Sequence, residues 1–118
     1  MRILRWHVIG ILSETGVEDT DVQGSAYRME RNYRVVNTWV RVKRVPTGDL
    51  GIQIDINGNG TSIFRTKPVL PSGSQEITSN AFSSVVLLKG LVITLDIDRV
   101  GSEYPGKDLV VELYLEED

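Results

Sequence analysis

The chain has 118 residues, 41% hydrophobic and 25% charged, which are globular proportions for one ordinary domain and exclude wholesale disorder. Thirteen basic against 16 acidic residues leave a formal net charge of −3, which argues against a module that holds nucleic acid by bulk positive charge. There is no cysteine, so disulfides, thiol catalysis and Cys-based metal sites are excluded, and no apolar run approaches the length of a membrane helix.

In chain order, Met1-Arg2-Ile3-Leu4-Arg5 begins like a basic leader, but Trp6 and His7 interrupt it and no apolar core follows, so use without export is expected. Ile3–Leu12 reads as a first strand. Residues 13–24 are acidic and polar, carrying Glu14, Glu18, Asp19 and Asp21 with no basic partner, and are expected to form a surface loop. Ser25–Glu30 is a short strand candidate. Tyr33 to Val45 is a long one, with Val36, Thr38, Val40 and Val42 on one parity and Tyr33, Val35, Asn37, Trp39, Arg41 and Lys43 on the other.

Isoleucines 52, 54 and 56 alternate with Gln53, Asp55 and Asn57, the pattern of a half-buried strand. Asn57-Gly58-Asn59-Gly60 then marks a tight hairpin into Thr61–Arg65, since Asn and Gly tolerate positive φ. Glu76–Asn80 and Ser84–Leu88 are shorter candidates. Leu91, Ile93, Leu95 and Ile97 alternate with Val92, Thr94, Asp96 and Asp98, and Leu109, Val111, Leu113 and Leu115 alternate with Val110, Glu112 and Tyr114. All four prolines, at 46, 68, 71 and 105, fall between candidates, where a missing backbone donor does no harm. About eight short strands spaced by turns, with no sustained helical period, predict one all-β domain over residues 1–118, a single antiparallel β-sandwich or jelly roll.

The motifs that could carry chemistry each meet a plainer reading. Asp55-x-Asn57-x-Asn59-Gly60 matches the first half of a calcium loop, but the twelfth position is Thr66, so the hairpin turn is favoured and no metal site is assigned. Asp96 and Asp98 share a strand face that Asp55 and Glu112 could join, a spacing open to glycosidase chemistry; a solvated or interface face explains it more simply. His7, the sole histidine, cannot form a multi-histidine site, and no phosphate-binding glycine loop is present. No catalytic residue and no cofactor are therefore assigned. Trp39, with Tyr33, Arg41 and Lys43 on its parity, has the aromatic and basic composition of a protein interface, and equally that of a second core layer with the basic stems running past it; Tyr104 is a further aromatic candidate. Residues 22–67 carry a net +5 and residues 96–118 a net −6, so copies of the chain could meet with opposite signs facing.

Four stretches follow one another in order: Trp6-His7-x-x-Gly10, Asp55 to Phe64, Leu95 to Ser102, and Pro105 to Val111. Together they resemble small jelly-roll-like modules among the structural proteins of tailed bacteriophages, such as head decoration (cement) or spike proteins and tail or fibre domains. The resemblance covers roughly residues 3–12 and 50–115; residues 13–34 match no pattern of it. It implies a non-enzymatic virion protein, assembled in the host cytoplasm, that binds the major capsid protein or another virion protein and its own copies, as a homotrimer, to stabilise the particle. The single-domain extent favours capsid decoration over a fibre. The alternative is a receptor- or carbohydrate-binding module at a tail tip, with Trp39 or Tyr104 as stacking platform. Neither reading involves nucleic acid or a membrane.

Overall fold

A computed structural model describes residues 1–14, 23–83 and 86–118. Its strands are β1 (Arg2–Ile11), β2 (Gln23–Arg28), β3 (Tyr33–Arg44), β4 (Ile52–Gly58), β5 (Thr61–Ser62), β6 (Val69–Leu70), β7 (Glu76–Ser79), β8 (Val86–Leu87), β9 (Val92–Arg99) and β10 (Lys107–Glu117). One sheet runs β1-β10-β3-β7, with β8 also on β3; the other runs β2-β9-β4-β5, with β6 also on β4. Every pairing is antiparallel.

The pairing is nested. The first strand pairs with the last, β2 pairs with β9, β3 takes β7 and β8, and β4 takes β5 and β6. A long antiparallel hairpin folded over in this way places alternate strands in alternate sheets, which is the jelly roll. The short pairs β5/β6 and β7/β8 each fill one strand position, so eight positions result, as the turn spacing predicted. The expected loop over 13–24 lies outside the described residues from 15 to 22, and β2 already begins at Gln23. Of the Ser84–Leu88 candidate, Val86–Leu87 is strand and 84–85 lie outside the described residues.

Alternation places the core as read. Ile52, Ile54 and Ile56 of β4, Ile93, Leu95 and Ile97 of β9, and Leu109, Val111, Leu113 and Leu115 of β10 are all buried between the sheets, with Leu4 and Trp6 of β1. Trp6 meets Tyr27 edge-to-face at 5.3 Å, which closes the corner between the sheets. Asn59 and Gly60 both have positive φ, 49° and 85°, between the paired Gly58 and Thr61, so the hairpin is the two-residue turn that matches strand twist.

The parity of β3 is the correction. Asn37 pairs with Tyr114 but Val35 pairs with Leu115, so Val36 has no partner opposite and forms a bulge. One extra residue reverses which face the side chains take. Thr38, Val40 and Val42 are buried, whereas Val36, expected beside them, is 38% exposed. Tyr33 and Val35, expected beside Trp39, are buried in the core instead.

Thr38 is wholly buried and its hydroxyl has no hydrogen-bond partner among the described residues. A buried unpaired hydroxyl costs stability that an isosteric methyl does not. Thr38→Val is expected to raise unfolding stability by about 1 kcal/mol in urea titration; a loss would mean that the hydroxyl is satisfied in solution.

Candidate interaction surface

The outer face of the β1-β10-β3-β7 sheet carries the residues that alternate with the core. Cross-strand register sets them in rows: Arg5, Glu112, Trp39 and Thr78; then His7, Val110, Arg41 and Glu76. Acidic positions of β10 thus each meet an arginine from one neighbour, Glu112 from β1 and Glu116 from β3. Arg5 donates through Nε to Glu112 Oε2 at 2.6 Å, and Tyr114 donates its hydroxyl to Glu112 Oε1 at 2.6 Å. Arg34 pairs with Glu116 at 2.8 Å and Arg31 with Glu117 at 3.0 Å. On β7, Glu76 accepts from Arg41 at 2.9 Å and from the Trp39 ring N–H at 2.5 Å.

These pairs change the meaning of the charge asymmetry. The basic stretch and the acidic tail were expected to meet between subunits; β3 lies directly against β10, and the opposite signs meet within one protomer. Glu112 shows the local chemistry. Burial favours its neutral form, but the Tyr114 hydroxyl and the Arg5 guanidinium outweigh this and hold its pKa below the usual glutamate value.

Two shallow depressions mark this face. One, of about 440 Å³, is lined by His7, Ile9, Arg41, Lys43, Asp108 and Val110 among others; the second, of about 260 Å³, lies over Asn37, Trp39, Thr78, Glu112 and Tyr114. Of the predicted interface residues, Trp39, Arg41 and Lys43 share this face. Tyr33 does not: it is in the core, its hydroxyl donating to Glu30 and its ring beneath Arg2. Tyr104 sits on the β9–β10 connection, where the Arg44 guanidinium lies 4.0 Å from its ring centre. Sequence reasoning passed over Ile9 and Ile11, which are 80% and 65% exposed on β1. They lie in the apolar second half of that strand, Val8-Ile9-Gly10-Ile11-Leu12, where apolar residues on both parities give no sign of which face is exposed.

The opposite sheet carries the carboxylates that suggested other chemistry. Asp55, Asp96 and Asp98 come together on β4 and β9, but Glu112 is on the other sheet, so the four do not form one group. Lys67, from the β5–β6 connection, is 2.7 Å from Asp98 and 3.4 Å from Asp55, and Ser62 donates to Asp55. Asn57 donates to Asp96 at 2.5 Å, and the Asn59 side-chain oxygen accepts from the Val92 amide at 3.0 Å. The polar atoms of the calcium-like stretch are therefore engaged in fastening the hairpin and the connection over the sheet. Among the described residues, no group of three or more His, Asp or Glu side chains is arranged to hold a metal ion.

No family model matches the chain, and no curated protein matches it. Among solved structures, it is similar to a chain of the capsid of Ralstonia phage GP4, with a TM-score of 0.63 at 12% identity, over 98% of this chain and 83% of that one. At this identity the likeness is one of fold: both are all-β bodies of this architecture.

Asp96 offers a pH test of the carboxylate group. Burial, then the neighbouring Asp98 and Asp55 charges, raise its pKa above the usual aspartate value, against the opposing pull of Lys67 and the Asn57 amide. A raised carboxylate pKa favours the protonated native state, so its ionisation costs stability as pH rises through the aspartate range. Asp96→Asn, which keeps an acceptor for Asn57, is expected to melt above the wild type at about pH 7 and to coincide with it at about pH 3. A variant that melts lower at neutral pH would show that the ionised carboxylate stabilises the cluster.

Proposed function

We propose that this chain is a non-enzymatic structural protein of a tailed-phage virion, a head decoration protein that binds the capsid surface and its own copies as a homotrimer. The observation that carries the reading is the jelly-roll likeness to a chain of the Ralstonia phage GP4 capsid, which extends over 98% of this chain. The outer face of the β1-β10-β3-β7 sheet supports it. Trp39, Arg41 and Lys43 lie together there with exposed Ile9, the mixture of aromatic, basic and apolar groups that concentrates energy at protein interfaces. Tyr104, stacked under Arg44, extends that surface around one end of the sheet, whereas Tyr33 contributes to the core and not to docking. The partner is the major capsid protein or another virion protein, met on the particle after assembly in the host cytoplasm.

Immunogold labelling of virions from the phage that encodes the chain is expected to place it regularly over the head. Sedimentation equilibrium of the free protein is expected to give roughly three times the 13.2 kDa chain mass. A protein absent from purified virions would sink the reading.

The depression over Trp39, Tyr114, Asn37 and Thr78 favours one alternative, a receptor- or carbohydrate-binding module at the tail tip, because aromatic rings beside amide and hydroxyl groups suit a sugar ring. Trp6 is 1% exposed, so a sugar in this depression would change the fluorescence of Trp39 alone. Titration with cellotetraose or chitotetraose is expected to leave the emission unchanged; a saturable shift abolished by Trp39→Phe, with label confined to tail tips, would favour the alternative.

A further inference from the structure

The stretch Asn57-Gly58-Asn59-Gly60 sets two asparagines before glycines, and the fold treats the two pairs in opposite ways. Asparagine is chemically labile before glycine, because a residue without Cβ lets the following backbone nitrogen approach the side-chain amide carbon. Asn57 is 8% exposed, and its side-chain amide donates to Asp96 at 2.5 Å. Gly58 is buried and paired on both sides, with Thr61 and with Ile93. A side-chain carbon at Gly58 would lie 2.8 Å from Leu91, so the chain is closely packed there.

Asn59 and Gly60 are both exposed, at the two-residue tip of the hairpin. Two hydrogen bonds hold Asn59, both to Val92. Its backbone amide donates to the Val92 carbonyl, and its side-chain oxygen accepts from the Val92 amide, each at 3.0 Å. Among the described residues the Gly60 amide has no hydrogen-bond partner, and apart from its chain neighbours nothing lies within 4 Å of where a side chain would begin. Attack by the Gly60 nitrogen requires the Asn59 side chain to swing away from Val92. That movement costs one exposed hydrogen bond and leaves the β4–β5 ladder in place. The same movement at Asn57 breaks its bond to Asp96 and the pairing of Gly58 with its neighbours. Local opening of this kind governs reactivity inside a folded protein.

We infer that the β4–β5 turn is a site of spontaneous modification, at which Asn59 is converted to aspartate and isoaspartate while Asn57 is spared. The Gly60 nitrogen, its proton taken by solvent base, attacks Asn59 Cγ. The Cγ–Nδ2 bond breaks, ammonia leaves with a proton returned from water, and a five-membered imide joins the two residues. Water then opens the imide. Attack at Cγ gives aspartate; attack at the backbone carbonyl gives isoaspartate, whose main chain runs through the former side-chain carbon. No electrons are exchanged, and water is the only co-reactant. Either product adds a negative charge to the exposed turn. Aspartate keeps an oxygen for the Val92 amide, whereas isoaspartate lengthens a turn whose φ values of 49° and 85° match it to the strands. This chemistry is independent of what the chain binds.

The test is incubation of the folded wild type in mildly alkaline buffer, beside a sample in denaturing urea. Trypsin, cutting after Arg44 and Arg65, releases residues 45–65 with both asparagines, and fragmentation mass spectrometry assigns the mass gained when NH2 is exchanged for OH. In the folded protein Asn59 is expected to react at least about tenfold faster than Asn57. The reaction is expected to quicken as pH rises and to give isoaspartate in excess of aspartate. In urea the two sites are expected to react at similar rates. Asn59→Asp is expected to gain no mass at that position and to melt close to fresh wild type, with aged protein rich in isoaspartate melting lower. An unreactive Asn59 in the folded protein, equal rates at the two sites there, or aspartate formed without isoaspartate would each overturn the inference, the last because it means direct hydrolysis without the Gly60 nitrogen.

Discussion

The structure depends on where its last strand lies. β10 runs between β1 and β3, so the chain's end is hydrogen-bonded to its beginning and to its middle. Its alternation serves both faces. Leu109, Val111, Leu113 and Leu115 press into the core, and Glu112 and Glu116 on the other face meet arginines supplied by the two flanking strands. Without this strand, neither the core side of the sheet nor its outer charge ladder would be complete. Nesting of the remaining pairs inside this one brings β2 to β9 and β4 to β5 and β6. Such long-range closure makes loop entropy a large part of the folding barrier, as is usual for all-β bodies.

Neutralising the outer face locally has a consequence for association. Individual exposed ion pairs contribute little to stability, about 0–1 kcal/mol each. They do match charge across much of the sheet, on which Trp39 is half-buried and Ile9 and Ile11 of β1 are exposed. A surface of that kind favours one orientation of a partner, since like charges penalise the others. The second sheet is finished differently. Lys67 and Ser62 bind Asp55 and Asp98 from above, so the β5–β6 connection covers its polar face with its own hydrogen bonds.

Much of this was legible in the residues. A period of two over Ile52–Asn57, Leu91–Asp98 and Leu109–Leu115 identified both the strands and their buried faces, because a strand's side chains have only two directions to take. Asn59-Gly60 announced its own turn, since few other pairs accept positive φ at both positions. Trp39, Arg41 and Lys43 were correctly set on one face. Tyr33 was not, because a bulge at Val36 is written in the partner strand's register and not in the local alternation of β3.

Charge divided in the same way. Composition established how many acids and bases there are and in which segments they concentrate, and alternation set Glu112 opposite the apolar face of its strand and Trp39 on one parity with Arg41 and Lys43. Only the tertiary structure decided that the basic third strand lies beside the acidic last one, and that Glu112 and Asp96 belong to different sheets. The physical reason is one of range. Local sterics and hydrophobic period act over a few residues and are carried by the sequence near them, whereas an ion pair between residues 5 and 112 exists only once nested pairing has brought the two ends of the chain together.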